Sequence, residues 1–307
     1  MPKPALTAAA SAAPLPQLQA AGKRLATTPN RMGWLQPTPG DAPVATIRQR
    51  LREHGYVWLK GFLPPDEVRG FRAQVFGHLN AAGFVADPLA GTASGSAGDK
   101  ELANRRLMEF VRSARYEAFC MHPRLWQFMD ELLEGLSYLH KRKIMRYTLP
   151  ATPQVTPAHY DLVYLRGGTD RIVTAWIPIG DVPVEMGGLV YLEGSHALGV
   201  KMEAEFRALN ATLSPEERIN AYNKNMTDGG YVSKDLPDMA DKFDARWLVA
   251  DYEAGDVMLH SPYMIHASTM NEDREGRIRL STDIRYQNVT DEIDARWANH
   301  WTLDDML

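Results

Sequence analysis

The chain has 307 residues, 45% of them hydrophobic, and a formal net charge of −4 at pH 7. This length can bury a full core, and it suits one large β-rich domain better than two small ones. Basic and acidic residues are interspersed, so no patch or tail predicts binding to nucleic acid or to an anionic membrane. No stretch approaches the ~20 consecutive apolar residues that cross a bilayer. We therefore expect a protein that acts on a small molecule.

The cysteine content and the amino-terminal segment bear on location and domain limits. The single cysteine, Cys120, can form neither an internal disulfide nor a thiolate metal site, which is typical of a reducing compartment such as the cytoplasm. Its neighbours predict a helix in which Cys120 packs as a small apolar residue. Residues 1–45 are rich in Ala, Pro and Thr and contain no secretory apolar region. We expect a disordered or loosely packed arm over 1–45 and a single domain over 46–307.

The domain is predicted to begin with helix, strand and helix. Residues 46–54 have a helical pattern that ends at Gly55, and 56–59 have the composition of a strand. A second helix opens at Pro64–Pro65. Its apolar residues recur at helical spacing: Val68, Phe71, Val75 and Leu79.

Two further helices are predicted over 100–116 and 123–133. The segment before them, 87–98, is rich in Gly, Ala, Ser and Thr. Such a composition is typical of a lid over a pocket or of a plain surface loop, and the sequence leaves both open.

From Tyr138 onward the pattern changes to short apolar runs separated by Pro and Gly, which predicts an antiparallel double-sheet barrel. An insertion of about 197–247 interrupts these strands and is predicted to contain a helix pair. Ser214-Pro215-Glu216-Glu217 has the order of a capping box with proline at the first helical position, so one helix should begin there.

A metal site is predicted from His159-Tyr160-Asp161. The apolar run that follows, 162–165, has the pattern of a strand, so His159 and Asp161 should project from one face of it. Two histidines and one carboxylate with open positions are the ligand set of non-haem Fe(II) oxygenases. A second histidine is therefore needed.

His260 and His266 are the candidates for that ligand, in what the sequence predicts to be one strand pair. His196 is predicted to end a strand and to bind backbone. The remaining histidines fall on surface helices, near helix ends or in the tail: His54, His78, His122, His140 and His300. His266 is favoured because an arginine follows it eleven residues later in the chain.

That arginine, Arg277, opens an alternating strand pattern in which Arg279 faces the same side. A guanidinium inside a barrel is costly unless it meets a carboxylate, and a dicarboxylate co-substrate would supply one. Both arginines could instead lie on the surface, since unpaired arginine is rarely buried.

Taken together, these fragments resemble the phytanoyl-CoA dioxygenase family of Fe(II)- and 2-oxoglutarate-dependent oxygenases. The resemblance spans about 46–287. The residues that carry it are Gly55-Tyr56-Val57, Gly61-Phe62-Leu63, His159-Tyr160-Asp161-Leu162, Asp170 to Trp176, Gly187 to His196, Gly255-Asp256-Val257, and His266-Ala267-Ser268 through Asn271 to Arg277.

The resemblance implies a fold class of α+β with a mainly β core. The core would be a double-stranded β-helix of the jelly-roll or cupin-like type, with flanking amino-terminal helices and a helical insertion. It also implies the roles of individual residues. His159, Asp161 and His266 would bind Fe(II), Arg277 and Ser268 would hold the distal carboxylate of 2-oxoglutarate, and Trp176 would line that pocket. Arg279 would replace Arg277 if the register is shifted by two. A further contact is expected from Arg146, Tyr147 or Thr156.

The implied activity is that of a dioxygenase that uses 2-oxoglutarate and dioxygen as co-substrates and releases succinate and CO2. We expect hydroxylation of an unactivated C–H bond, with desaturation, epoxidation or rearrangement left open. Asp161 argues against halogenation, because family halogenases have a small residue in place of this carboxylate. The substrate is expected to be a small metabolite, such as an amino-acid derivative or a specialised natural product.

The alternative is a metal-binding double-stranded β-helix protein without 2-oxoglutarate chemistry, such as an isomerase or a sensor. Arg277 weighs against it, since such a protein needs no arginine for a co-substrate. The sequence leaves the oligomeric state open, with a homodimer as one option.

Overall fold

A computed structural model describes residues 15–214, 217 and 231–300. Two β-sheets pack face to face, and helices cover the outer face of the larger sheet. This is the double-stranded β-helix, or jelly-roll, arrangement, so the predicted fold class is confirmed. The interior between the sheets positions the functional side chains.

The large sheet has seven strands in the order β4-β5-β13-β10-β15-β8, with β9 also paired to β15. The small sheet has the order β14-β11-β12-β3, and two short hairpins, β1-β2 and β6-β7, lie apart. The strands are β1 Gln19–Ala20, β2 Lys23–Arg24, β3 Met32–Trp34, β4 Pro37–Pro39, β5 Tyr56–Lys60, β6 Val85–Asp87, β7 Thr92–Ala93, β8 Ser137–Leu139, β9 Ile144–Thr148, β10 Val173–Pro178, β11 Leu189–Leu192, β12 Trp247–Val249, β13 Val257–His260, β14 His266–Ser268 and β15 Arg279–Asn288.

Eight α-helices accompany the strands in the described part of the chain. They are α1 Val44–His54, α2 Pro65–Leu79, α3 Lys100–Val111, α4 Ala114–Cys120, α5 Pro123–Leu132, α6 Leu162–Leu165, α7 Ser195–Leu209 and α8 Leu236–Lys242. The predictions of α1, β5, α2 and α5 are confirmed to within two residues. Cys120 is fully buried at the end of α4, as expected.

The helix predicted over 100–116 is wrong, because the structure divides it into α3 and α4. Ser113 separates the two helices, and its hydroxyl accepts a hydrogen bond from the backbone N–H of Tyr116. A serine in this position caps a new helix, so the apolar pattern continues while the helix axis does not.

Residues 15–45 differ from the expectation of a loose arm, since the described part of this segment contributes an edge strand to each sheet. β3 pairs in parallel with β12, and β4 pairs in parallel with β5. Leu18, Met32 and Leu35 are each at most 2% exposed. Residues 1–14 lie outside the described residues.

In its described residues the insertion contains α7 and α8. The capping box at its centre is present, because the N–H of Ser214 donates to the Glu217 carboxylate and the N–H of Glu217 donates to the Ser214 hydroxyl. The helix expected to follow lies outside the described residues.

The segment over 87–98 contacts the residues that immediately precede β15. β6 and β7 form a hairpin, and the backbone of Thr92 bridges to that of Arg277. The N–H of Ala93 donates to the carbonyl of Gly276 at 2.8 Å. The hairpin therefore packs against the approach to β15.

Candidate metal and co-substrate site

His159 and His266 meet across a backbone bridge at the centre of the interior. The N–H of each donates to the carbonyl of the other, at 3.0 and 2.9 Å. Their ring centroids lie 4.3 Å apart. His266 belongs to β14 of the small sheet, while His159 lies on the segment that precedes α6. The bridge brings together residues that are distant in the sequence.

Asp161 completes the cluster, but not from a strand. Residues 162–165 form the short helix α6, so the predicted strand is wrong, and Asp161 stands at the helix N-cap position. Nevertheless one ligand atom from each of His159, Asp161 and His266 lies within 4.8 Å of the others. All three residues are at most 7% exposed.

The orientation of both imidazoles suits a metal. Nδ1 of His159 lies 2.8 Å from the carbonyl of Pro157, and Nδ1 of His266 lies 2.9 Å from the carbonyl of Met264. A carbonyl can only accept, so each Nδ1 carries the proton and each Nε2 presents a lone pair. Both Nε2 atoms lie 3.8 Å from Oδ1 of Asp161.

The pKa values of these groups also favour metal binding. Burial lowers the pKa of His159 and His266, and neighbouring histidines lower that of His266 further. Burial alone would raise the pKa of Asp161, but Arg285 and the His260 hydrogen bond hold it well below its ordinary value. Two neutral imidazoles and a carboxylate are the protonation states that a metal requires. The residues present therefore fit a divalent ion such as Fe(II).

One cross-strand row of the large sheet holds Asp161 in place. Thr174 of β10 is in register with His260 of β13 on one side and with Arg285 of β15 on the other. The Thr174 hydroxyl donates to Oδ2 of Asp161, and Nε2 of His260 lies 3.3 Å from the same oxygen. Nη2 of Arg285 donates to Oδ1 at 3.1 Å.

His260 is thus a neighbour of the metal ligand and belongs to a different sheet from His266. The prediction of one strand pair for the two histidines is wrong, since β13 lies in the large sheet and β14 in the small one. Nδ1 of His260 lies 3.0 Å from the hydroxyl of Tyr191, which can donate to it. His260 then donates from Nε2 to Asp161, and Oδ1 is left to face the two imidazoles.

Arg277 and Arg279 occupy different surroundings. Arg277 precedes β15, and its side chain is 26% exposed and pairs with Asp273 at 2.5 Å and with Glu275 at 3.4 Å. Arg279 is 5% exposed and donates to the carbonyl of Gly187 and to the hydroxyl of Thr148.

Arg279 has no carboxylate partner among the described residues, and its Nε has no hydrogen-bond partner there. Burial lowers the pKa of Arg279 to about 10. A buried guanidinium with unused donors favours a nearby anion.

The other residues that were expected to contact 2-oxoglutarate do not all lie on the interior face of their strands. The Ser268 hydroxyl accepts from the N–H of Thr156 at 2.8 Å, which leaves its own proton to donate to another group. Arg146 and Thr148 pair with interior residues of β15, whereas Tyr147 lies on the opposite face and stacks on Phe84 at 4.7 Å. The side chain of Tyr147 therefore points away from the metal cluster.

Trp176 is buried in the aromatic part of the interior. Its ring centroid lies 4.8 Å from that of Tyr252, within a cluster that joins the two sheets. The expectation for His196 is wrong, because this residue lies in α7 rather than at a strand end.

The sequence did not identify the three residues that contact Asp161, which are Thr174, His260 and Arg285. They come together through the strand register, which cannot be derived from a single sequence.

Fold and site together combine a jelly roll with a two-histidine, one-carboxylate cluster that could hold a metal ion and with a buried arginine. The family model described as Phytanoyl-CoA dioxygenase (PhyH) matches residues 51–278 of the 307. The chain belongs to this family. It is a non-haem Fe(II)- and 2-oxoglutarate-dependent dioxygenase, so the predicted class, activity and cofactors are confirmed. The alternative without 2-oxoglutarate chemistry is set aside.

Individual relatives agree with this class. The chain is 26% identical over 242 residues to 1-deoxypentalenic acid 11-beta-hydroxylase of Streptomyces arenae, covering 76% of this chain and 78% of the relative. Two solved structures share the fold. The epimerase SnoN, in complex with Fe3+, alpha ketoglutarate and nogalamycin RO, has a TM-score of 0.53 at 20% identity and covers 81% of this chain and 85% of its own. The carbocyclase SnoK from nogalamycin biosynthesis has a TM-score of 0.54 at 19% identity, covering 84% and 89%.

The relatives and the structure also bear on the expected substrate and on membrane-spanning helices. A small-molecule substrate is consistent with the relatives, which act on small metabolites. Among the described residues, no helix is both long enough and apolar enough to span a membrane.

Proposed function

We propose that this enzyme hydroxylates a C–H bond of a small metabolite, with iron held by His159, Asp161 and His266 and with 2-oxoglutarate held by Arg279. The observation that carries the proposal is the convergence of the three ligand atoms within 4.8 Å in a buried interior. The ferrous ion would supply reductive activation of dioxygen, coupled to oxidative decarboxylation of 2-oxoglutarate.

The choice of Arg279 over Arg277 rests on charge compensation. Arg277 already has Asp273 and Glu275 as partners and is partly exposed. Arg279 is buried with no carboxylate of its own among the described residues, which is costly until an anion binds. The distal carboxylate of 2-oxoglutarate provides that anion.

The path between iron and Arg279 supports this orientation. In the small sheet, His266 of β14 pairs with Tyr191 of β11, and Ser268 pairs with Leu189. From His266 to Ser268, β14 therefore runs toward the end of β11 that is next to Gly187. Arg279 donates to the carbonyl of Gly187. Ser268 therefore lies between the two ends and can donate its hydroxyl proton to the co-substrate.

The residues around the cluster perform distinct tasks. Thr174 and His260 occupy Oδ2 of Asp161, so only Oδ1 is presented to the metal. His159, Asp161 and His266 would hold the ion through three ligand atoms, and 2-oxoglutarate and dioxygen would be its other ligands. The aromatic cluster that includes Trp176 and Tyr252 excludes water from the adjoining interior.

The type of reaction and the class of substrate are inferred from the relatives. The two Streptomyces relatives are named as 11-beta-hydroxylases of 1-deoxypentalenic acid, and the two structural neighbours act in the biosynthesis of nogalamycin. These names support hydroxylation within specialised metabolism. The intact Asp161 is consistent with hydroxylation rather than halogenation.

The test is an anaerobic titration of the purified protein with Fe(II) and then 2-oxoglutarate, followed by visible absorption. Chelation of ferrous iron by the keto acid should give a weak charge-transfer band. In an Arg279→Ala variant the 2-oxoglutarate concentration for half-maximal band should rise roughly a hundredfold, because a buried charge pair loses one partner.

Arg277→Ala is the matched control, two residues away on the same chain. It removes a partly exposed ion pair, so the titration should shift by less than about threefold. If Arg277→Ala and not Arg279→Ala weakened 2-oxoglutarate, the assignment would pass to Arg277. If the wild-type protein bound iron and never formed the band, the proposed co-substrate site would be wrong.

A further inference from the structure

Arg285 has more hydrogen-bonding capacity than its surroundings use. It is 4% exposed, and its guanidinium lies over the ring of Trp297 at 4.8 Å. Nη2 donates to Asp161, but within the described part of the chain Nε and Nη1 have no hydrogen-bond partner. A buried guanidinium with unmet donors is costly, so these atoms indicate a ligand.

Metal binding increases this deficit. Arg285 and the metal both draw on Oδ1 of Asp161, since the Nε2 atoms of His159 and His266 face the same oxygen at 3.8 Å. The other oxygen is taken by Thr174 and His260. When an ion occupies Oδ1, the carboxylate charge is shared with that ion, and Arg285 loses part of its compensation.

A charge count around the cluster leads to the same conclusion. Three arginines (Arg146, Arg279 and Arg285) face two aspartates (Asp161 and Asp283) in this interior. Bound ferrous iron would be balanced by Asp161 and by the near carboxylate of 2-oxoglutarate. Arg279 is matched by the distal carboxylate, and Arg146 pairs with Asp283 at 3.4 Å. One positive charge remains, and it is on Arg285.

We propose that the substrate carries one negative charge, as a carboxylate or a group of similar shape, and that Arg285 binds this group beside the metal centre. The inference rests on the proposed function, because the charge count includes bound iron and 2-oxoglutarate. The guanidinium is planar, and its position 4.8 Å over the ring of Trp297 restricts its orientation. Nη2 has a second hydrogen beside its bond to Asp161, which together with a free neighbouring N–H forms the fork that matches a carboxylate.

The experiment compares two matched probes on the anaerobic protein loaded with Fe(II) and saturating 2-oxoglutarate. The probes are cyclohexanecarboxylate and cyclohexanecarboxamide, which have nearly the same shape and differ in charge. Binding is read as a shift of the visible charge-transfer band. We expect the carboxylate to bind the wild-type protein about tenfold more tightly than the amide, as a charge-assisted hydrogen bond implies.

Variants at position 285 separate charge from support of Asp161. Arg285→Gln keeps a donor and removes the charge, so the ratio of the two affinities should fall to about one. Arg285→Lys keeps the charge and should retain most of the preference. Arg171→Gln is the control, because Arg171 is 66% exposed in its side chain and pairs with Asp291 on the surface. It should keep the wild-type ratio.

Each outcome bears on the inference. Equal affinity of the wild-type protein for both probes overturns it, and so does a carboxylate preference that survives in Arg285→Gln. A carboxylate that abolishes the band has displaced 2-oxoglutarate instead of binding beside it, which also overturns the inference. If no band forms with 2-oxoglutarate alone, the proposed function fails and the inference fails with it. A band without carboxylate preference refutes only the substrate charge.

Discussion

The two faces of strand β15 differ in what they contribute. All ten residues of the strand are buried. Among its first eight residues, four polar or charged ones face the interior: Arg279, Ser281, Asp283 and Arg285. Toward the helices it presents Leu280, Thr282, Ile284 and Tyr286. The same strand thus serves the site on one face and the core on the other.

The difference shows how a buried charged face is tolerated. Leu280 and Ile284 pack in the cluster beneath the helices, and the hydroxyl of Tyr286 donates to the carbonyl of Cys120 at 2.6 Å. This face supplies hydrophobic burial. The interior face carries arginines that are costly without ligands, so we expect the apolar face to support stability and the polar face to support binding.

The largest expected effect is on stability, from Ile284→Ala. Ile284 is fully buried in the helix-side cluster. Removing its side chain should lower the free energy of unfolding by about 2–5 kcal/mol, through lost burial and a residual cavity. Urea unfolding followed by circular dichroism measures this loss. Metal affinity at a temperature where the variant is folded should stay within about threefold of the wild type, a margin smaller than the effect of one hydrogen bond.

Ser281→Ala is the matched substitution on the interior face of the same strand. Ser281 is 1% exposed, and the change removes one hydroxyl without opening a large cavity. We expect a loss of no more than about 1.5 kcal/mol. If Ser281→Ala destabilised the protein as much as Ile284→Ala, the two faces would not differ in their contribution to stability.

The next effect is on metal affinity, from His260→Ala. His260 is fully buried, faces the same interior row as Arg285 and lies 3.3 Å from Oδ2 of Asp161. Without this donor Asp161 is less firmly oriented, and the affinity for Co(II), a spectroscopic substitute for Fe(II), should fall about 10- to 100-fold. A titration of the cobalt absorption bands gives the dissociation constant.

Two variants distinguish positioning from a general loss of structure. His260→Gln restores an N–H donor and should recover most of the metal affinity. Tyr191→Phe removes the hydroxyl that orients His260 and should cost less than His260→Ala, about twofold to tenfold, as one neutral hydrogen bond implies. A lower melting temperature with unchanged cobalt affinity in His260→Ala would show that the residue acts only in packing.

The sequence could predict those features that depend on local patterns and on residue types. The segments α1, β5, α2 and α5 were predictable because periodicity and breakers act within a few residues. The candidate ligands were recognisable because their residue types and order are those of a family. By contrast, Arg277 and Arg279 have the same residue type and the same predicted strand face, so their environments depend on where β15 begins and on Asp273 nearby.

Long-range pairing accounts for the remaining differences. β3 and β4 join the sheets as parallel edge strands, and Met32 pairs with Trp247 across more than two hundred residues. No local pattern encodes such pairing, so 15–45 was expected to be loose. Likewise His260, Thr174 and Arg285 meet only through register. The chemistry was readable from residue types, while its supports depended on the tertiary fold.

The smallest expected effect is on stability at acidic pH and comes from His140, whose pKa is influenced by Arg285. Burial lowers the pKa of His140 to about 4, partly opposed by its hydrogen bond to Gln287, and Arg285 lowers it further. Between pH 6.5 and 4 the unfolded chain therefore binds a proton that the folded protein does not, so stability falls as pH decreases through this range. From pH 7 to pH 5, His140 should account for about 1–2 kcal/mol of lost unfolding free energy, since one pKa unit corresponds to about 1.4 kcal/mol.

Urea unfolding at both pH values, compared with His140→Asn, isolates this contribution because all other titrating groups are common to the two proteins. An identical pH dependence in both would mean that His140 has the same pKa in the folded and unfolded states.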